Sequence, residues 1–119
     1  RILGAIVFAL AIHGIASAQD TLMTPDEIKT QWIGKKLFAR SGTAGLIDFT
    51  MRADGSADVS GNNLADTGTW RLSSDGYCAT WKKIRAGQER CFTVVKKGAV
   101  ATVLNPDKSV SAEILRVSD

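Results

Sequence analysis

Ile47-Asp48-Phe49-Thr50-Met51-Arg52-Ala53-Asp54-Gly55-Ser56-Ala57-Asp58-Val59-Ser60 is the stretch that decides the fold. Ile47, Phe49 and Met51 alternate with Asp48, Thr50 and Arg52, the period of two expected of a strand buried on one face. Ala53-Asp54-Gly55 is a tight-turn signal. Ala57 and Val59 then alternate with Ser56, Asp58 and Ser60. The connection is far too short for a crossover helix, so the two strands are antiparallel neighbours.

The same pattern continues downstream. Ser60 to Thr67 is the longest polar connection, with Leu64 exposed in it. Trp70 and Leu72 alternate with Thr69 and Arg71, and Ser74-Asp75-Gly76 is another tight turn. Tyr77, Ala79 and Trp81 alternate with Cys78, Thr80 and Lys82. A loop around Ala86-Gly87-Gln88 leads to Cys91–Lys96, and Lys97-Gly98 leads to Ala99–Leu104. Asn105-Pro106-Asp107-Lys108 precedes a last strand over Ser109–Val117. With 35–40 as the first strand, the chain holds about eight short strands at the 8–12-residue spacing of all-β domains. The expected fold is mainly β: a single-domain antiparallel meander forming a small barrel or a curled sheet. Closure would remove exposed edges that invite aggregation.

Upstream, residues 19–23 read as a loose lead-in. Thr24-Pro25-Asp26-Glu27 then combines a capping residue, a proline suited to the first helical position and a glutamate that completes a capping box. This predicts one short helix over about 25–33, ended by Gly34 and covering one open end of the barrel.

The chain has 119 residues, 45% hydrophobic and 23% charged, with a formal charge of +3. That is material for one domain and excludes a two-domain dehydrogenase or a TIM barrel. Ile2–Ile12 is an apolar run too short to span a membrane, which takes about 20 residues. Followed by Ala16-Ser17-Ala18, it has the form of a secretory signal with cleavage after Ala18. With Arg1 the only charge before the run and no initiator methionine, its n-region is read as truncated. The expected organisation is a signal peptide over 1–18 and a β-barrel domain over 19–119. The protein would be periplasmic or secreted in a bacterium, with no stable membrane anchor after cleavage. His13, the only histidine, would be lost with the signal, leaving no imidazole base, no Ser-His-Asp triad and no histidine metal ligand.

Cys78 and Cys91 are the only cysteines. An even count in an exported chain predicts a disulfide, which would leave no thiol nucleophile. If the two stand directly opposite in adjacent strands, Tyr77 faces Phe92 and Ala79 faces Arg90. Tyr77, Ala79, Trp81, Phe92 and Val94 then share the core face. A diagonal bridge is equally compatible with the sequence.

These elements carry a resemblance. The capped helix, Phe49 to Gly55, Gly68-Thr69-Trp70-Arg71, Asp75-Gly76-Tyr77-Cys78-Ala79-Thr80-Trp81 and Arg90-Cys91-Phe92 together look like a group of small exported bacterial proteins with a lipocalin-like antiparallel barrel and one disulfide. The resemblance covers most of the chain after residue 18. It implies a fold and a compartment, and it brings no catalytic residues. In size and architecture the chain is also similar to periplasmic inhibitors of metalloproteases and of lysozyme, although their inhibitory segments find no residue-by-residue match here.

For chemistry, the carboxylates are unpromising. Asp54 and Asp75 belong to Asp-Gly turns, and Asp48 and Asp58 fall on polar faces. No catalytic residue, metal site or cofactor is expected. Trp70, Trp81, Tyr77 and Phe92 read first as core and second as the lining of a small ligand cavity. Lys82, Lys83, Arg85, Arg90, Lys96 and Lys97 form a basic cluster on the disulfide hairpin and its outgoing turn. They read as a solvated face or as an anion contact. Asn62, Asn63 and Leu64 are candidate partner contacts on the polar loop. Export and the modest charge argue against nucleic acid. The expectation is therefore a non-enzymatic binding protein for a small amphipathic ligand or a periplasmic or secreted protein. The alternative is an inhibitor of a secreted hydrolase, acting through the 60–67 loop or the chain before the helix.

Overall fold

The computed structural model describes residues 20–119. The expected signal segment and its cleavage point lie outside the described residues. The strands are β1 (Thr21–Leu22), β2 (Lys36–Ser41), β3 (Gly45–Met51), β4 (Ser56–Gly61), β5 (Ala65–Leu72), β6 (Tyr77–Trp81), β7 (Arg90–Lys97), β8 (Val100–Leu104) and β9 (Val110–Ser118). Among the described residues one α-helix, α1 (Pro25–Gln31), precedes β2, and a 3-10 turn, Ile84–Gly87, lies between β6 and β7.

All strand pairs are antiparallel. Strands β2 to β9 are neighbours in chain order, and β9 returns to pair with β2. Eight strands thus close into an up-and-down barrel rather than an open curled sheet. The hairpin at 47–60 has the expected register: Phe49 opposes Val59 and Met51 opposes Ala57 inside the barrel. On the outer face Arg52 pairs with Asp58.

The lead-in is not loose. Thr21 and Leu22 pair with Lys96 and Val95, so β1 is a ninth strand laid on β7. The reason is an unpaired edge. β6 has five residues and pairs with β7 only from Tyr77↔Phe92 to Ala79↔Arg90, whereas β7 has eight. β1, and the Met23 amide bonded to the Val94 carbonyl at 2.7 Å, satisfy backbone groups that β6 leaves behind.

Helix α1 starts as its sequence implies. The Glu27 amide donates to Thr24 Oγ1 at 3.2 Å, and the Thr24 amide donates to Glu27 Oε1 at 2.9 Å. It ends at Gln31, two residues earlier than expected, because Trp32 is already the C-cap and Gly34 turns the chain at φ 84°. Met23, Ile28 and Trp32 are all buried in the core cluster. The Gly34 amide donates to the Met51 carbonyl at 2.7 Å, and Lys96 lies 3.5 Å from Glu27. The helix therefore plugs the barrel end where β3 finishes and β7 leaves.

Cys78 and Cys91 form a disulfide and stand directly opposite each other, which settles the register in favour of the direct bridge. Their side chains lie on the outer face, with the Arg71–Glu89 ion pair beside them at 2.9 Å. The two strands run so close that a Cβ at Gly76 would overlap the Phe92 carbonyl oxygen, and only glycine fits there.

Candidate functional site

The connections 42–44, 62–64, 82–89 and 105–109 gather at the barrel end opposite α1. Between them opens a cavity of about 280 Å3. Its walls come from inward positions of the strands, among them Phe49, Val59, Tyr77, Trp81, Phe92 and Ile114. Alternation forces this: the residues that fill the helix-plugged half continue up the same strand faces, beyond the reach of α1.

The aromatic floor is continuous. Ring centroids lie 5.2 Å apart for Tyr77–Phe92, 5.8 Å for Phe49–Trp81, 6.3 Å for Phe49–Tyr77 and 6.4 Å for Trp32–Tyr77. Tyr77 thus touches both the plug and the cavity. Burial drives its phenol well above the ordinary value, against a smaller opposing pull from Arg85, so it stays a neutral hydroxyl.

Of the expected ligand residues, Tyr77, Trp81 and Phe92 line this cavity, and Trp70 does not. Trp70 sits near the end of β5, on the plugged side, half-buried against the core. Its indole donates to the Arg52 carbonyl at 2.6 Å, tying it to the β3–β4 turn. In the β5–β6 register Trp70 opposes Ala79 and Gly68 opposes Trp81, so Trp70 lies two pairs nearer the plugged end than Trp81.

The basic cluster divides in the same way. Lys96 pairs with Glu27 and Lys97 lies 3.7 Å from Asp20, both at the plugged end. Lys82 and Lys83 are exposed on the β6–β7 connection. Arg85 and Arg90 line the cavity instead of forming part of a solvated face. Arg90 opposes Ala79, so the strand register points it inward. Its Nη1 donates to Asn105 Oδ1 at 3.2 Å, and Asn105 Nδ2 donates to Ser109 Oγ at 3.1 Å. Ser109 in turn donates to Asp107, whose carboxyl is held below the ordinary range chiefly by that hydroxyl and the Ser109 amide. This chain fixes the Arg90 guanidinium at the rim.

The expected 60–67 loop is mostly strand. Ser60 pairs with Ala65 and Asp58 with Thr67, which leaves a three-residue connection, Asn62 to Leu64. Asn62 and Asn63 are exposed, whereas Leu64 is half-buried and lines the cavity. The polar run misleads because its outward members are in-register strand residues.

Asp66 also belongs to the strand, and it is buried at 7% exposure. Its carboxylate accepts the Thr67, Lys83 and Ile84 amides, each at 2.9 Å, clamping the β6–β7 connection to β5. Burial works to raise its pKa, but the three amides, together with the Lys83 charge, outweigh it and the net displacement is downward. A depressed carboxylate contributes stability that is complete above its ordinary pKa and is lost as pH falls through the lower folded value. Below about pH 4, the ordinary carboxylate value, the mouth should loosen. Asp66→Ala should produce the same loosening at neutral pH. Amide exchange at Lys83 and Ile84 should then rise by about tenfold or more, as for lost charge-assisted hydrogen bonds. Unchanged exchange would show that the clamp is idle.

Cys78, Glu89 and Cys91 are close enough to suggest a metal site, but both sulfurs are committed to the disulfide. The fold and cavity together define a small closed β-barrel, plugged at one end and arginine-rimmed at the other. In comparisons with known proteins the chain matches no family model, no curated relative and no solved structure.

Proposed function

We propose that this is an exported, non-enzymatic binding protein that takes a small amphipathic molecule into the open end of its barrel. The observation that carries the reading is the cavity of about 280 Å3, walled by aromatic and aliphatic side chains and left uncapped by α1. It lies just below the range of ordinary small-molecule sites, about 300 to 1,000 Å3. At about 30 Å3 per water in the liquid, it accommodates a ligand of roughly ten non-hydrogen atoms.

Several groups suited to covalent or acid–base chemistry are engaged elsewhere, and no carboxylate or thiol is among the described residues lining the cavity. Cys78 and Cys91 are bonded to each other, Asp66 to backbone amides, Asp54 to Ser56 and Asp58 to Arg52. The disulfide supports an oxidising compartment. Inhibition of a secreted hydrolase has less to work with, because both segments it would use, 60–67 and the chain before the helix, are in large part paired strand.

Native mass spectrometry of the protein purified from a bacterial periplasm without refolding tests the reading. A reproducible adduct of small-molecule mass, lost on denaturation, is expected. Titration with short-chain amphiphiles should also saturate and shift the emission of Trp81. Neither an adduct nor a saturable shift with any amphiphile of that size would overturn the carrier reading and leave protein partners as the field of search.

A further inference from the structure

We propose that the cavity is selective for an anionic amphiphile, a carboxylate head on a short apolar tail, with the head held between Arg85 and Arg90 at the rim. This rests on the carrier reading above and adds the chemistry of the ligand.

The first ground is a stranded guanidinium. Arg85 Nε is buried and has no hydrogen-bond partner among the described residues. The guanidinium lies over the Phe92 ring, 5.6 Å from its centroid, on the cavity wall. Buried donors are nearly always satisfied, so a guanidinium with a sealed, unpartnered Nε is held without a protein acceptor, and its terminal amino groups on the cavity wall are left for one from a ligand.

The second is backbone strain at the same residue. Arg85 and Ala86 are both left-handed, at φ 56° and 54°. Two consecutive non-glycine residues in that region are costly, and such strain persists where function requires it. Here it aims the Arg85 side chain into the barrel.

The third is charge without an ion-pair partner, Asp107 acting on Arg90 only from beyond Asn105 and Ser109. Arg40 pairs with Glu113, Arg52 with Asp58 and Arg71 with Glu89. No carboxylate is among the described residues lining the cavity, and neither Arg85 nor Arg90 forms an ion pair among them. Burial, and then the neighbouring Arg90 charge, lower the Arg85 pKa, so the two guanidiniums oppose each other until an anion separates them. Arg90 is already oriented by Asn105 and presents a fixed fork for a planar carboxylate. Behind this pair the walls are apolar and aromatic, which selects a tail over a bare inorganic ion.

Calorimetric titration with octanoate, 1-octanol and inorganic phosphate tests this on the wild-type protein and on Arg85→Asn. Asparagine tolerates the left-handed backbone, so the variant keeps the turn and loses only the guanidinium. Octanoate should bind at least about tenfold more tightly than octanol, and Arg85→Asn should cut that preference severalfold, to what Arg90 alone supports, without weakening octanol, as expected for loss of a charge-assisted contact. The same variant should melt about 4 °C higher when empty, since strain and a buried open donor are both relieved. Equal binding of octanoate and octanol, unaffected by the variant, would refute the anion site and leave the carrier reading intact. Binding of neither would overturn both. Phosphate matching octanoate would overturn the amphiphile and leave a bare anion site. A variant that melts lower and binds octanoate unchanged would make Arg85 a structural residue and refute the proposal.

Discussion

Tyr77→Ala should destabilise the protein by about 4 kcal/mol, within the range for truncating a large buried aromatic in a core. Tyr77 is 4% exposed and makes ring contacts with Trp32, Phe49 and Phe92. It is therefore the side chain through which the plugging helix grips the barrel floor. Its loss leaves a void that closely packed strands cannot fill by collapse. The measurement is equilibrium urea unfolding, with Trp32 emission as a second probe. Emission should move to the red in the folded variant as the helix end becomes wet. A loss below about 1 kcal/mol would mean that the plug is held by Ile28 and Met23 instead.

Replacing both cysteines by serine should cost about 3 kcal/mol. The bridge spans 13 positions of sequence, and its chief effect in the chain-entropy account is to restrict the unfolded state. It also fastens β6 to β7 where they share only three register pairs, the shortest pairing in the closed barrel. Loss of the bridge should therefore speed amide exchange first in β6 and in the 82–89 connection. Thiol labelling of the denatured wild-type protein should find nothing to label. Two reactive thiols, or a double variant as stable as the wild type, would refute the structural role of the bridge.

Much of the fold was legible because its signals are local. Period-two alternation from Ile47 to Val59, the Asp-Gly turns and the Thr24 capping box each lie within a few residues. Each matches the structure closely. What was not legible is non-local. β2 pairs with β9 across most of the chain, and no residue in either strand announces its partner. β1 is a strand only because β6 stops short of the end of β7.

The cavity divides along the same line. Tyr77, Trp81 and Phe92 were accessible from alternation, and so was Arg90. The direct Cys78–Cys91 register puts Arg90 beside Ala79 on the inner face, yet grouping it by charge with Lys82 and Lys83 obscured that. Trp70 and Trp81 look alike in sequence, and only strand direction separates them. Arg85 is visible as a charge in the basic cluster, but its inward placement is not, since nothing in Lys83-Ile84-Arg85-Ala86-Gly87 marks a non-glycine residue as left-handed. Asn105 reads as a turn residue and acts as a tether for Arg90.

The seam between β2 and β9 joins Lys36 to Ser118, nearly the two ends of the domain. No ring can close until the final strand has left the ribosome. Until β9 has been made the other barrel strands have no closed ring to join, so the native barrel forms last, whichever hairpins pair earlier. Folding then waits for one long-range encounter, which places it among the slower small domains, on the order of milliseconds to seconds.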